Sequence, residues 1–193
     1  MLNDVPAPWF ELSPAQWSAL EAHFELLQRW NKVLNLTRIE RPEEAALRHY
    51  GESLFLARHL PQGSLRIVDV GSGPGFPGLP VAVVRPECSV TLVESHQRKA
   101  VFLREASRSI KNLAVLPQRA EQVRERYDWL ISRAVSYEDL SSCLSLAPNL
   151  ALLSGGEEPP ESLGLVWQPP VPLPWGKQRF LRISRQSSDS YQS

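Results

Sequence analysis

Over the first sixty positions, apolar residues recur at spacings of three and four; after that they gather into short unbroken runs. Trp17, Leu20, Phe24, Leu27 and Trp30 fall on one face of a helix. The stretch before them predicts where that helix starts. Ser13 can cap it, Pro14 suits the first helical position, and Gln16 can close a capping box. A second stripe, Leu47, Tyr50, Leu54 and Ala57, predicts a helix from Pro42 to about Leu60, ended by Pro61-Gln62-Gly63. Residues 1–62 therefore read as an N-terminal helical cap packed on the remainder of the chain.

From Leu65 the period changes. Leu65 to Val70 is a β-branched run that stops at glycine and reads as a buried strand. Further strands are expected at Ser89–Glu94, Leu113–Leu116, Trp129–Arg133 and Leu150–Leu153. Helices are expected from Gly78, from His96 to Ile110 with Val101, Phe102, Ala106 and Ile110 inward, and from Tyr137 to Ala147. Strands alternating with helices at this pace specify an α/β fold with a mostly parallel sheet covered on both faces. Leu163–Trp167 and Arg179–Ser184, with no helix between them, predict an antiparallel pair at the C-terminal edge of the sheet. The core is thus read as residues 63–185, and the polar end, 186–193, as a disordered tail.

Composition narrows the class. An apolar share of 42% fills a core, but no run of about 18 apolar residues suggests a membrane helix. The N-terminus lacks a basic region followed by an apolar stretch, so no secretion signal is expected. Cys88 and Cys143, the only cysteines, make neither a metal cage nor a disulfide scaffold, and a cytoplasmic setting is expected. A net charge of zero speaks against indiscriminate coating of nucleic acid, though not against local basic patches. Trp17 and Trp30 share the first helical stripe and read as core.

The candidate chemistry lies on the first strand-to-helix loop, Gly71-Ser72-Gly73-Pro74-Gly75-Phe76-Pro77-Gly78. In an open parallel sheet, ligands bind beyond the carboxyl ends of the strands, where the strand order reverses. Gly73, Gly75 and Gly78 match the dinucleotide spacing, so an NAD-dependent oxidoreductase has to be weighed. Two details favour S-adenosylmethionine. Asp69 precedes the loop, where a carboxylate can receive an ammonium group or tie the loop down, and would be unwelcome beside a pyrophosphate. Pro74 and Pro77 remove two backbone N–H donors that a phosphate cradle would use. Glu94, at the end of the second strand, can accept both hydroxyls of a ribose and suits either cofactor.

Val68 to Gly78, together with Trp30-Asn31-Lys32-Val33-Leu34-Asn35-Leu36-Thr37, Arg48-His49, Arg85-Pro86, Phe102-Leu103-Arg104 and Ile131-Ser132-Arg133-Ala134, resembles the signature set of the RsmG (GidB) methyltransferases. The resemblance runs from about Trp30 to Gly155. It implies a Rossmann-like class I methyltransferase fold with a seven-stranded sheet, and an enzyme that methylates N7 of a guanine in bacterial 16S ribosomal RNA. It also implies cofactor contacts at Gly71, Phe76, Glu94, Ala120, Glu121 and Arg133, beside Asp69, Gly73 and Gly75 of the loop. Two positions depart from the family pattern: Glu52 stands where an aspartate is usual, and Ser154 where a lysine is usual. The second departure motivates another reading, a cofactor-binding member that has lost catalysis.

N7 of guanine carries a lone pair and no proton, so it can attack a sulfonium methyl without a general base. Accordingly no catalytic dyad is assigned, and His23, His49, His59 and His96 show no metal spacing. Candidate contacts to 16S ribosomal RNA or the small ribosomal subunit are Arg29, Lys32, Arg38 and Arg48 on the cap, and Arg98 and Lys99 beside the cofactor strand; the competing reading of each is a solvated helix face. His49 reads equally as a border of the target site or as a buried structural residue. Titration calorimetry is expected to show binding of S-adenosylmethionine and none of NADH; the reverse result overturns the cofactor assignment.

Overall fold

The computed structural model describes residues 11–38 and 41–185; the expected tail, 186–193, lies outside them. Helix α1 spans Pro14–Leu34. Its start follows the local chemistry: Gln16 N–H donates to Ser13 Oγ at 3.3 Å, and Ser13 N–H to Gln16 Oε1 at 2.9 Å. Asn35, at φ 49°, ends it in the left-handed region.

The second cap helix is not uniform. It runs as α2 (Pro42–Ala45), a π segment (Ala46–Gly51) and α3 (Glu52–His59). From His49 to Ala57 every residue is buried, so this helix is enclosed on all sides rather than along a single stripe.

The sheet has seven strands: β1 (Arg66–Val70), β2 (Ser89–Val93), β3 (Leu113–Leu116), β4 (Trp129–Arg133), β5 (Asn149–Ser154), β6 (Val171–Pro172) and β7 (Phe180–Arg185). Their order is β3-β2-β1-β4-β5-β7-β6. β1 pairs in parallel with both β2 and β4, so the strand order reverses between β1 and β4. β5–β7 and β6–β7 are antiparallel. Helices α4 (Gly78–Val84), α5 (Gln97–Ala106) and α6 (Tyr137–Ser141) complete the layers. One buried cluster joins α1, α3, α4 and α5 to one face of the sheet; a smaller cluster around Leu140, Cys143 and Leu146 covers the other.

Three local expectations are corrected. The short partner of β7 is Val171–Pro172, not Leu163–Trp167; Trp167 makes only an isolated bridge to Ser184. Proline is tolerated there because β6 is the edge strand, with one side free of ladder bonds. Val101 is 51% exposed, because the inward face of α5 runs through Ala100, Phe102 and Leu103. That helix stops at Ala106, and the one after β4 at Ser141, followed by a separate turn at Leu144–Leu146.

Cap and core are joined by a buried cation. Arg85 donates to the carbonyls of Ala57 at 3.2 Å, Pro61 at 2.7 Å and Gly63 at 3.2 Å, and pairs with Glu87. These bonds satisfy carbonyls at the end of α3 that have no helical partner. Arg85→Met is expected to lower stability by about 2 kcal/mol in urea unfolding, since it strands the buried Ala57 carbonyl and removes the bonds to Pro61 and Gly63 while keeping side-chain volume.

Candidate cofactor site and basic surface

The glycine loop leaves β1 at the switch point and is fixed by specific bonds to its backbone. Gly71, Gly73 and Gly75 have φ of 69°, 55° and 99°, a region that side chains resist. Gly71 N–H donates to Val93 O at 3.0 Å. Gly73 N–H donates to Glu94 Oε2 at 2.9 Å, and the other oxygen of that carboxylate accepts from His96 N–H at 2.7 Å. Gly75 N–H donates to Ser72 O at 2.8 Å, and Ser72 Oγ to Asp69 O at 2.9 Å.

Asp69 lies beneath the loop. It is fully buried, and its Oδ2 accepts from Gly78 N–H at 2.8 Å, at the start of α4. Its Oδ1 has no partner. Burial pushes the carboxyl up to about 7, against the lowering effect of the Gly78 and Ser72 bonds. Of the two roles open to Asp69 in the sequence, tying the loop down is the one its geometry displays.

A cavity of about 230 Å³ opens beside the loop, lined by Val70, Gly71, Glu94, Ala120, Glu121 and Val135, among others. It brings four of the expected cofactor residues together from β1, β2 and the turn after β3, with Gly73 held at its rim by Glu94. A Cβ at Gly71 would sit 2.8 Å from Val135 Cγ2, so a side chain there would crowd this space. The cavity wall combines a carboxylate with spare lone pairs, bare backbone at Gly71, small apolar residues, and the polar groups of Arg119 and Asp139. A second cavity, about 640 Å³, lies past the ends of β4 and β5; Val135 lines both.

Other expected residues lie elsewhere. The Phe76 ring points into the cap, stacked on His49 with centroids 4.4 Å apart and edge-on to Tyr50 at 5.0 Å. Arg133 projects to the same side, 5.5 Å above that ring, and donates to Arg48 O at 2.8 Å. Burial lowers its pKa, opposed by nearby Glu52. His49 is 2% exposed; its Nε2 is 2.9 Å from Thr37 Oγ1, and its Nδ1 has no partner. It occupies the core, so of its two sequence readings the buried one describes its position.

Arg29, Lys32, Arg38 and Arg48 are exposed on the cap. Arg29 and Lys32 line an open groove of about 570 Å³ with Asn31 and Thr37. Arg48 pairs with Glu44 at 3.4 Å. At the start of α5, Arg98 is exposed and Lys99 half-buried.

Two groups had no role in the sequence pattern. Glu52, 1% exposed, accepts two bonds from Arg179, at 3.1 and 2.6 Å, and lies 4.0 Å from Arg133. Nothing local signals a contact between residues so far apart in the chain. His23 joins the cap to the loop: its Nε2 is 3.0 Å from Pro74 O and its Nδ1 2.8 Å from Tyr50 Oη. Its place on the buried stripe of α1, one residue before Phe24, was the available hint.

The fold is that of a class I methyltransferase: a sheet of this order, with a cavity at the switch point. Residues 16–155 match the family described as GidB, rRNA small subunit methyltransferase G, and the chain belongs to that family, whose members depend on S-adenosylmethionine. Ribosomal RNA small subunit methyltransferase G of Methylobacillus flagellatus is 39% identical over 162 residues, covering 80% of this chain and 78% of that protein. The same-named protein of Nitrosospira multiformis is 40% identical over 151 residues, covering 76% and 67%. Among solved structures, a SAM dependent methyltransferase from Aquifex aeolicus superposes with a TM-score of 0.60 at 16% identity, covering 78% of this chain and 96% of that one. Magnesium protoporphyrin IX methyltransferase from Synechocystis, with bound SAH, gives 0.59 at 15%, covering 88% and 99%. At such identity these two speak for the fold alone.

The buried histidines carry a pH signature. Burial lowers His23 to about 4 and His49 to about 2, the latter helped by nearby Arg133. The unfolded chain protonates both near 6.5, so it binds more protons than the folded one below that pH. Their contribution is therefore complete above about 6.5 and is lost as pH falls toward 4. Asp69 acts oppositely: folded, it holds its proton up to about 7, so its burial penalty shrinks over the same descent. Unfolding titrations at pH 7 and pH 5 are expected to show a smaller acid loss in His49→Gln than in the parent, by about 2 kcal/mol.

Proposed function

We propose that this protein transfers a methyl group from S-adenosylmethionine to N7 of a guanine in bacterial 16S ribosomal RNA. The observation that carries the reading is the cavity at the switch point, where Gly71, Glu94, Ala120 and Glu121 meet, in a chain belonging to this family. Bound there, the cofactor supplies an electrophilic methyl on a sulfonium centre. Glu94 already holds Gly73 and His96 and keeps lone pairs for ribose hydroxyls. Ala120 and Glu121 would border the adenine, and the glycine loop would receive the amino-acid tail. Arg133 stands on the cap side of the loop, from where its charge would act on the tail's carboxylate.

The larger cavity sharing Val135 is the space for the acceptor base. A paired guanine must leave its stack, or already be unstacked, to enter it. N7 then needs alignment rather than deprotonation, so positioning and a fitted polar environment are the protein's contribution. This suits the buried state of His23 and His49, both held neutral. Arg29, Lys32, Arg38 and Arg48 on the cap, with Arg98 and Lys99 at α5, form the phosphate-contacting surface. The Thr37–His49 bond ties the groove bearing Arg29 and Lys32 to the residue next to Arg48. We place this activity in the cytoplasm, with domains at 1–62 and 63–185.

Purified protein, incubated with unmodified small-subunit RNA and S-adenosylmethionine, is expected to yield 7-methylguanosine by nucleoside mass spectrometry. Lys32→Glu is expected to weaken RNA binding and lower the slope of log K against log salt by about 1, with cofactor affinity unchanged. Arg133→Ala is expected to weaken cofactor binding instead. Binding of S-adenosylmethionine without methyl transfer would favour the reading in which Ser154 marks a member that has lost catalysis.

A further inference from the structure

We infer that His23, on the cap helix, is a positioning residue for the cofactor loop: it locks the Pro74–Gly75 peptide in its binding orientation, with Tyr50 holding His23 in the required tautomer. The inference rests on the cofactor reading above and extends it to two residues outside the cavity.

The starting point is the freedom of the loop. Gly71, Gly73 and Gly75 all lie at positive φ, and glycine reaches other backbone regions at little steric penalty. Local sequence therefore permits this conformation without selecting it. Each glycine has a selecting contact. Gly71 N–H is taken by Val93 O, and Gly73 N–H by Glu94. At Gly75 the N–H goes to Ser72 O within the turn. That bond leaves the carbonyl of the same peptide, Pro74 O, to be fixed. His23 Nε2 fixes it at 3.0 Å, the one hydrogen bond to Pro74 O among the described residues.

The atoms settle the protonation pattern. A carbonyl oxygen only accepts, so His23 Nε2 carries the hydrogen. Nδ1 is then an acceptor, and Tyr50 Oη, at 2.8 Å, donates to it. The ring is almost completely enclosed, at 3% exposure, with edge contacts to Phe76 at 5.3 Å and Tyr50 at 5.8 Å. Gly75 has no room to relax toward it: a Cβ there would lie 3.5 Å from His23 Nε2 and 3.3 Å from both Leu103 and Leu79. A flip of the Pro74–Gly75 peptide would turn its carbonyl away from this donor and leave a buried N–H unpaired. The loop is thus held from β2 through Glu94, from β1 through Asp69, and from the cap through His23. Two of these supports were visible beside the motif; the third comes from a helix 51 positions upstream.

The test is calorimetric binding of S-adenosylhomocysteine well below the melting temperature, for the parent and three variants. His23→Leu is expected to raise Kd at least tenfold. His23→Gln, whose side-chain amide can reach the same carbonyl, is expected to stay within about threefold of the parent. Tyr50→Phe, which frees the tautomer but keeps the ring, is expected to fall between them. With S-adenosylmethionine and RNA, His23→Leu should raise the cofactor KM while kcat at saturation changes less than threefold. If His23→Leu does not fold, His23→Asn replaces it, since it keeps a polar group facing Tyr50 but is too short for Pro74 O.

Equal Kd values in all folded variants, with only the melting temperature lowered, would overturn the inference and leave His23 a core residue. So would a loss in His23→Gln as large as in His23→Leu. Failure of the parent itself to bind S-adenosylhomocysteine would refute the cofactor reading instead, so the two failures are told apart.

Discussion

A loop that must expose bare backbone to a ligand cannot rely on its own side chains to hold its shape. That constraint governs the structure. Between β1 and α4 the chain passes through three glycines at positive φ; Val93 and Glu94 take the N–H groups of Gly71 and Gly73, Ser72 takes that of Gly75, and His23 bonds the Pro74 carbonyl between them. Glu94 is central, since one carboxylate holds both the loop at Gly73 and the entrance of α5 at His96. Each oxygen of that carboxylate accepts one backbone N–H and keeps a further lone pair toward the cavity.

The cap is therefore tied to the glycine loop as well as packed on the sheet. On one side α1 presents Arg29 and Lys32 to solvent; on the other it sends His23 to the loop. The π segment has a matching role. By crowding His49, Tyr50 and Gly51 inward, it supplies the ring that stacks on Phe76, the hydroxyl that orients His23, and a glycine lying against Trp175.

The C-terminal pair extends the same logic. β7 adds antiparallel to β5, and the turn from β6 to β7 carries Arg179 back to the buried Glu52. An unpaired carboxylate at 1% exposure would be costly, so Glu52 requires this distant partner. At the family's usual lysine position, Ser154 Oγ accepts from Arg182 at 3.1 Å, but that guanidinium is already paired with Glu158. Arg133 and Arg179 converge instead on the buried Glu52, away from the end of β5.

Much of this was written in local sequence. The capping box at Ser13, the five parallel strands and the glycine loop with Glu94 were legible because each depends on neighbours within a few residues or on a simple period. The short edge strand at Val171–Pro172 was not, since a two-residue strand has no period and proline argues against one. The orientation of Phe76, the inward turn of His49 and the bonds of His23 and Glu52 had no local signature. Which way a side chain faces at a π turn, and which carbonyl a buried histidine finds, depend on what the rest of the chain brings alongside. Sequence by itself thus determined the elements and the kind of ligand they suit, because those follow from backbone propensity and spacing. Only tertiary structure decided which groups hold the loop, because a buried polar atom takes its partner from whatever packing places within about 3 Å.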